Sequence, residues 1–160
     1  MSLQMSTRSR YGVRLMVALA VNWGGGTSLL RDLARQEGIS EKYLGQIVIP
    51  LKASGLVSSH RGAHGGYSLA RPPRDITVKD VVEAIEGKIA PVACVDPEAG
   101  VSPGECGERP EDCGRMTTCV VTQVWRKLRD DIDRTLRGFT LEELARRARE
   151  IGQAAENYAI

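Results

Sequence analysis

Cysteines are the residues of this 160-residue chain best suited to chemistry. Three of the four, Cys106, Cys113 and Cys119, fall within fourteen residues in "CGERPEDCGRMTTC", and Cys94 stands twelve residues upstream. Clustered thiols can pair as disulfides, hold zinc, ligate an iron–sulfur cluster or undergo reversible oxidation. Structural zinc sites usually contain a close C-x₂₋₄-C pair, and this chain has none. The segment 94–114 is rich in Gly, Pro, Glu and Asp and lacks apolar periodicity. It cannot fold by packing alone, so something else organises it or it stays mobile.

No catalytic constellation accompanies the thiols. There is no elbow serine, no phosphate loop and no acid–base pair with histidine, so the chain does not read as an enzyme. His60 and His64 are the only histidines. They fall on a strand and a tip, where they need not converge on a metal, and contact with DNA or solvent suits them better. The longest purely apolar run, Leu15–Val21, is far short of a bilayer span. No secretory h-region with a cleavage site follows the N-terminus, so the expected compartment is the cytoplasm. Thiols stay reduced there, which favours metal binding or redox sensing over structural disulfides.

The elements that must position these groups are mainly helical. Ser6–Asn22 carries a broad apolar face and is stopped by three glycines, Gly24–Gly26. Ser28 is expected to cap a second helix, "LLRDLARQEG", and Ser40 a third, "SEKYLGQIVIPLKASG". Pro50 is expected to kink or restart that third helix. Two helices joined around Gly38 form a helix–turn–helix pattern. Two short strands follow, Leu56–His60 and Tyr67–Ala70, around a glycine-rich tip. The predicted fold is therefore mainly α with a small β-hairpin wing: a winged helix-turn-helix plus a long dimerisation helix. Its expected divisions are a DNA-binding domain at 5–75, a connecting helix and extended segment at 76–93, the cysteine-rich sensor loop at 94–114, the dimerisation helix at 115–137 and a C-terminal helix at 138–160. The apolar seam of the long helix, Val121, Val124, Trp125, Leu128, Ile132, Leu136 and Phe139, suits pairing with a second copy.

The net charge of +2 is unevenly spread. Residues 1–75 carry ten Lys/Arg against four Asp/Glu, and residues 76–160 carry twelve against sixteen. A basic N-terminal half fits a polyanion. Opposite the apolar stripe of the third helix lie Glu41, Lys42, Gly45, Gln46 and Ile49. The N-terminal part of a recognition helix, here from Ser40, meets base edges in the major groove. There Gln46 can pair with adenine, and Lys42 can reach guanine or phosphate. Arg61, with His64 at the wing tip, suits the minor groove or phosphate. Arg8, Arg10 and Arg14 can clamp the backbone.

Four segments, "SRYGVRLMVALA", "ISEKYLGQIVIPLKASGLVSSHRGAHGGYSLAR", "ITVKDVVEAIEG" and "CVVTQVW…FTLEELA", run in order from about Ser6 to Ala145. They resemble the Rrf-type family of bacterial winged-helix transcription regulators, which includes an iron–sulfur cluster regulator, a nitric-oxide sensor and a cysteine-metabolism repressor. The resemblance implies a homodimer with crossing long helices, bound to a palindromic double-stranded DNA operator. In the cluster-binding branch, three cysteines just before the long helix hold the cluster, and Cys106, Cys113 and Cys119 match them. Cys119 stands six residues before Trp125, as the last ligand does in that branch. Thr122 occupies the place of the cluster regulator's histidine, and Arg10 that of the nitric-oxide sensor's carboxylate. Cys94 is thus the candidate fourth ligand, and the cluster, [2Fe–2S] or [4Fe–4S], is left undecided. Two functions are compatible with the chain. One is a regulator sensing redox, iron–sulfur or nitric-oxide status through a cluster. The other is a cluster-free repressor controlled by a protein partner or by thiol oxidation.

Overall fold

The computed structural model describes residues 5–62, 65–95 and 118–158. The chain forms two compact units. One joins Met5–Glu86 to Arg137–Ile160, and the other holds Gly87–Leu136.

The first unit begins with helix α1, Thr7–Val21, which buries Leu15, Met16, Leu19 and Ala20. The Ser6 hydroxyl starts it by accepting the Ser9 N–H at 3.2 Å. Helix α2, Leu30–Glu37, stops at Gly38, whose φ of 66° and ψ of 35° are left-handed. A glycine takes that conformation without Cβ strain, and it turns the chain directly into α3, Glu41–Ala53. Leu33 and Ala34 of α2 and Leu44, Ile47, Val48 and Leu51 of α3 face the core.

Two local expectations are corrected here. Ser28 does not cap α2; the cap position is Leu29, which has no side-chain acceptor. Ser28 instead exchanges backbone hydrogen bonds with Tyr67, at 2.9 and 2.8 Å, and adds a one-residue bridge to the wing. Two bonds within a small sheet outweigh one cap bond. Pro50 does not restart α3, which runs through it as one helix. Four buried side chains from the stripe hold both sides of the proline in place, offsetting its missing backbone donor.

The wing pairs β1, Val57–His60, with β2, Gly66–Leu69, antiparallel, with Val57 opposite Leu69 and His60 opposite Gly66. Gly66 has a φ of 147°, and a Cβ there would lie 2.6 Å from the Ser28 carbonyl. Helix α4, Val78–Glu86, opens with a reciprocal cap: Thr77 N–H donates to Asp80 Oδ2 at 2.7 Å, and Asp80 N–H to Thr77 Oγ1 at 3.2 Å. The segment before α4 pairs with the one before the last helix, through Val78 N–H to Phe139 O and Leu141 N–H to Ile76 O, both 2.9 Å. That last helix is α6, Leu141–Tyr158, and it packs on α1. Arg149 of α6 donates to the Ala20 and Val21 carbonyls at 3.2 and 2.7 Å, closing the C-terminal end of α1.

In the second unit the long helix α5 spans Val121–Arg137. It begins at Val121 rather than Arg115, because residues 118–120 form turns. The β-branched Thr118, Val120, Val121 and Thr122 make this a weak stretch for helix initiation. Residues 115–117, with most of the cysteine segment, lie outside the described residues. No helix among the described residues is long and apolar enough to cross a membrane.

Candidate DNA interface and cysteine site

The expected DNA-reading residues that are described all belong to the first unit. Ser40 caps α3 through its hydroxyl, which accepts the Tyr43 N–H at 3.2 Å. The cap fixes the first turn of α3 and leaves its other N–H groups directed outward, a favourable end for phosphate. Lys42 and Gln46 are exposed on the face opposite the core, and Tyr43 turns the other way. Its ring meets Tyr11 of α1 edge to face, with centroids 6.2 Å apart. Arg10 lies over the Tyr11 ring at 5.3 Å and remains exposed.

Arg14 behaves differently from the other arginines of α1. Its Nε donates to Glu37 Oε2 at 2.7 Å and its Nη2 to the Glu37 carbonyl at 2.9 Å. The guanidinium therefore ties α1 to the end of α2 and serves the scaffold. Arg8 is exposed on the first turn of α1. Arg61 is exposed just beyond β1, and His60 is held by a 3.0 Å hydrogen bond between its Nε2 and Ser68 Oγ. His64 lies outside the described residues.

A polar network near α1 has no counterpart in the sequence reading. Ser9, almost wholly buried, donates from Oγ to Glu86 Oε1 at 2.5 Å, and the Ser6 N–H reaches the same oxygen at 3.3 Å. The Ser6 and Ser9 hydrogen bonds, with a lesser attraction from Arg8, hold the Glu86 carboxyl below its usual range. The start of α1 is thus fastened to the end of α4, one residue before Gly87. Seventy-seven residues separate Ser9 from Glu86, so no local pattern announces the pair.

The cysteine site belongs to the second unit. Cys119 lies two residues before the first residue of α5, and its carbonyl accepts the Thr122 N–H at 3.2 Å. The helix N-terminus offers positive partial charge beside this cysteine. Cys94 is half-buried, and the neighbouring Val95 carbonyl accepts Arg129 Nη1 of α5 at 2.8 Å. Both described cysteines therefore adjoin backbone that is hydrogen-bonded to one helix. Thr122 is the buried residue of that helix. Cys106 and Cys113 lie outside the described residues, and among the described residues no three His, Cys, Asp or Glu side chains gather around a possible metal.

Known proteins share this architecture. The family model Rrf2, described as an iron-dependent transcriptional regulator, matches residues 5–147. Protein rrf2 of Nitratidesulfovibrio vulgaris is 37% identical over 146 residues, covering 91% of this chain and 89% of that protein. The structure of CymR (YrzC), the global cysteine regulator of Bacillus subtilis, aligns with a TM-score of 0.69 at 37% identity, over 90% of this chain and 97% of that one. IscR of T. potens aligns with a TM-score of 0.70 at 35% identity, over 94% and 91% of the two chains. The match extends through the winged helix and the long helix alike: the chain belongs to the Rrf2 family of DNA-binding transcription regulators and is not an enzyme.

Proposed function

We propose that the protein is a homodimer that binds a palindromic operator and reports the state of an iron–sulfur cluster held by its cysteine segment. DNA is read by Ser40, Lys42 and Gln46 at the head of α3, by Arg61 and His64 on the wing, and by Arg8 and Arg10 on α1. The exposure of Lys42, Gln46, Arg61, Arg8 and Arg10 around a capped helix supports this assignment. Dimerisation runs through α5. Val121 and Val124 are 48% and 58% exposed in the single chain, and Trp125, Leu128 and Ile132 are half-buried along the same seam. A monomer in sedimentation at micromolar concentration would contradict it.

The anchoring of both described cysteines to α5 carries the sensing part of the proposal. Thiolates are the donors that iron–sulfur clusters take, and a helix N-terminus favours an anionic ligand set. Cys106, Cys113 and Cys119 are the ligands, with Cys94 as the fourth thiolate, because Thr122 offers no nitrogen. Such a cluster supplies a centre that reacts with oxygen or nitric oxide. The chain's part is to hold four thiols beside one helix and to pass their order or disorder to α5. A tenfold change in operator affinity needs only about 1.4 kcal/mol of coupling. Anaerobic reconstitution of the wild-type chain is expected to give iron, sulfide and visible absorption together. The Cys113→Ser variant is expected to lose them, and full reconstitution of that variant would overturn the ligand set.

The second reading is a cluster-free regulator whose thiols are oxidised directly or which answers to a protein partner. The replacement of the histidine by buried Thr122 favours it. A colourless protein from anaerobic purification that still changes operator affinity with thiol oxidation, or when a partner is added, would select it.

A further inference from the structure

Ile49 is the anomaly on the recognition helix. It is 66% exposed, whereas Leu44, Ile47, Val48 and Leu51 around it are buried. Seven residues separate it from Lys42, two helical turns, so the two side chains lie on one line along α3. Gln46 stands on the same face one turn earlier. Gly45, also on this face, leaves it bare. A Cβ on Gly45 would meet only Leu30 Cδ2, at an ordinary 3.6 Å, and Gly45 has no positive φ. The fold therefore does not require glycine there, and glycine inside a helix is unfavourable relative to alanine. The face thus combines the Glu41 carboxylate at its start, one cation, one amide, one stripped position and one large branched apolar group.

This combination fits the floor of a major groove. Lys42 and Gln46 present donors to base acceptors, and Gly45 lets the helix backbone come close. In that groove the apolar group on a base edge is the C5 methyl of thymine. We propose that Ile49 is a specificity-determining residue that packs on the methyl group of one thymine in each operator half-site. The inference rests on the DNA-reading face proposed above and adds a base preference to it. A protein partner would fit the face less well, since Ile49 is flanked by polar Lys42, Gln46 and Lys52 rather than by an apolar patch.

The test uses the full-length protein. A binding site is first selected from a random duplex pool. Each thymine is then replaced in turn by deoxyuridine, which lacks only the methyl group. Wild-type protein is expected to lose about fourfold in affinity at one thymine of a half-site, the worth of one buried methyl group. Ile49→Ala is expected to bind the thymine and deoxyuridine sites alike and to keep the wild-type salt slope, because no phosphate contact is touched. Ile49→Val is expected to retain most of the discrimination. The inference is overturned if no thymine shows the effect in wild type, or if a folded Ile49→Ala protein discriminates as wild type does. A wild-type chain that selects no sequence would instead remove the DNA-reading face, and this assignment with it.

Discussion

The unit that carries the wing and the unit that carries the cysteines are held together by different means. In the first, Leu15, Met16, Leu44, Ile47, Leu51, Leu56, Ile76 and Leu141 are all at most 1% exposed and come from both ends of the sequence. Each such burial contributes roughly 1.5–3 kcal/mol. In the second, the buried residues among those described are Val95 and Thr122. Its long helix spreads charge instead, with Lys127 and Arg134 both paired to Asp131. Surface pairs of this kind contribute about 0–1 kcal/mol each. The lesson is that the wing-bearing unit is held by its own packing, whereas the described part of the cysteine unit buries little side-chain surface of its own.

The sharpest way to break that contrast is to cut into the packed unit. Leu44→Ala, at a fully buried position, is expected to lower stability by about 2–5 kcal/mol in chemical denaturation. A loss no greater than that of an exposed substitution on α5 would abolish the distinction. Next in size is reading of the operator. Gln46→Ala is expected to lose about 1–3 kcal/mol of preference at one base pair. By contrast, Arg8→Ala is expected to weaken all sequences alike and to reduce the salt slope by about 1. Titrations on matched and mismatched duplexes at several salt concentrations separate the two.

A smaller effect tests the turn between α2 and α3. Gly38→Ala places a Cβ in left-handed backbone and is expected to destabilise the packed unit by about 1–2 kcal/mol, read as a lower Tm. The smallest concerns Glu86. Its folded pKa is depressed by the Ser6 and Ser9 hydrogen bonds, so its contribution is present above the unfolded value, near 4.3, and is lost as pH falls through the lower folded value. Glu86→Gln is therefore expected to be less stable than wild type at neutral pH and to approach it in acid. An equal deficit across the whole range would mean that the carboxylate charge is not what fastens α1 to α4.

Much of the packed unit was legible in the sequence because its signals are local. The stripe Leu44, Ile47, Val48, Leu51, the cap at Ser40 and the glycine at position 38 all act within a turn or two of themselves. The cysteine spacing and the charge asymmetry could be read in the same way. Misreadings arose where a residue had two local options and a distant partner chose between them. Ser28 suits a helix cap, but Tyr67, far along the chain, offers two backbone bonds.

The sequence by itself determined the helix–turn–helix, the wing and the identity of the thiols, since periodicity, turn chemistry and residue type are properties of short stretches. Only the tertiary structure decided which polar groups remain available for function. Ser9, Arg14 and Glu86 are drawn into hydrogen bonds within the packed unit. The physical reason is that hydrogen bonding and burial depend on atoms brought together from far apart in the chain, and no short pattern encodes that meeting.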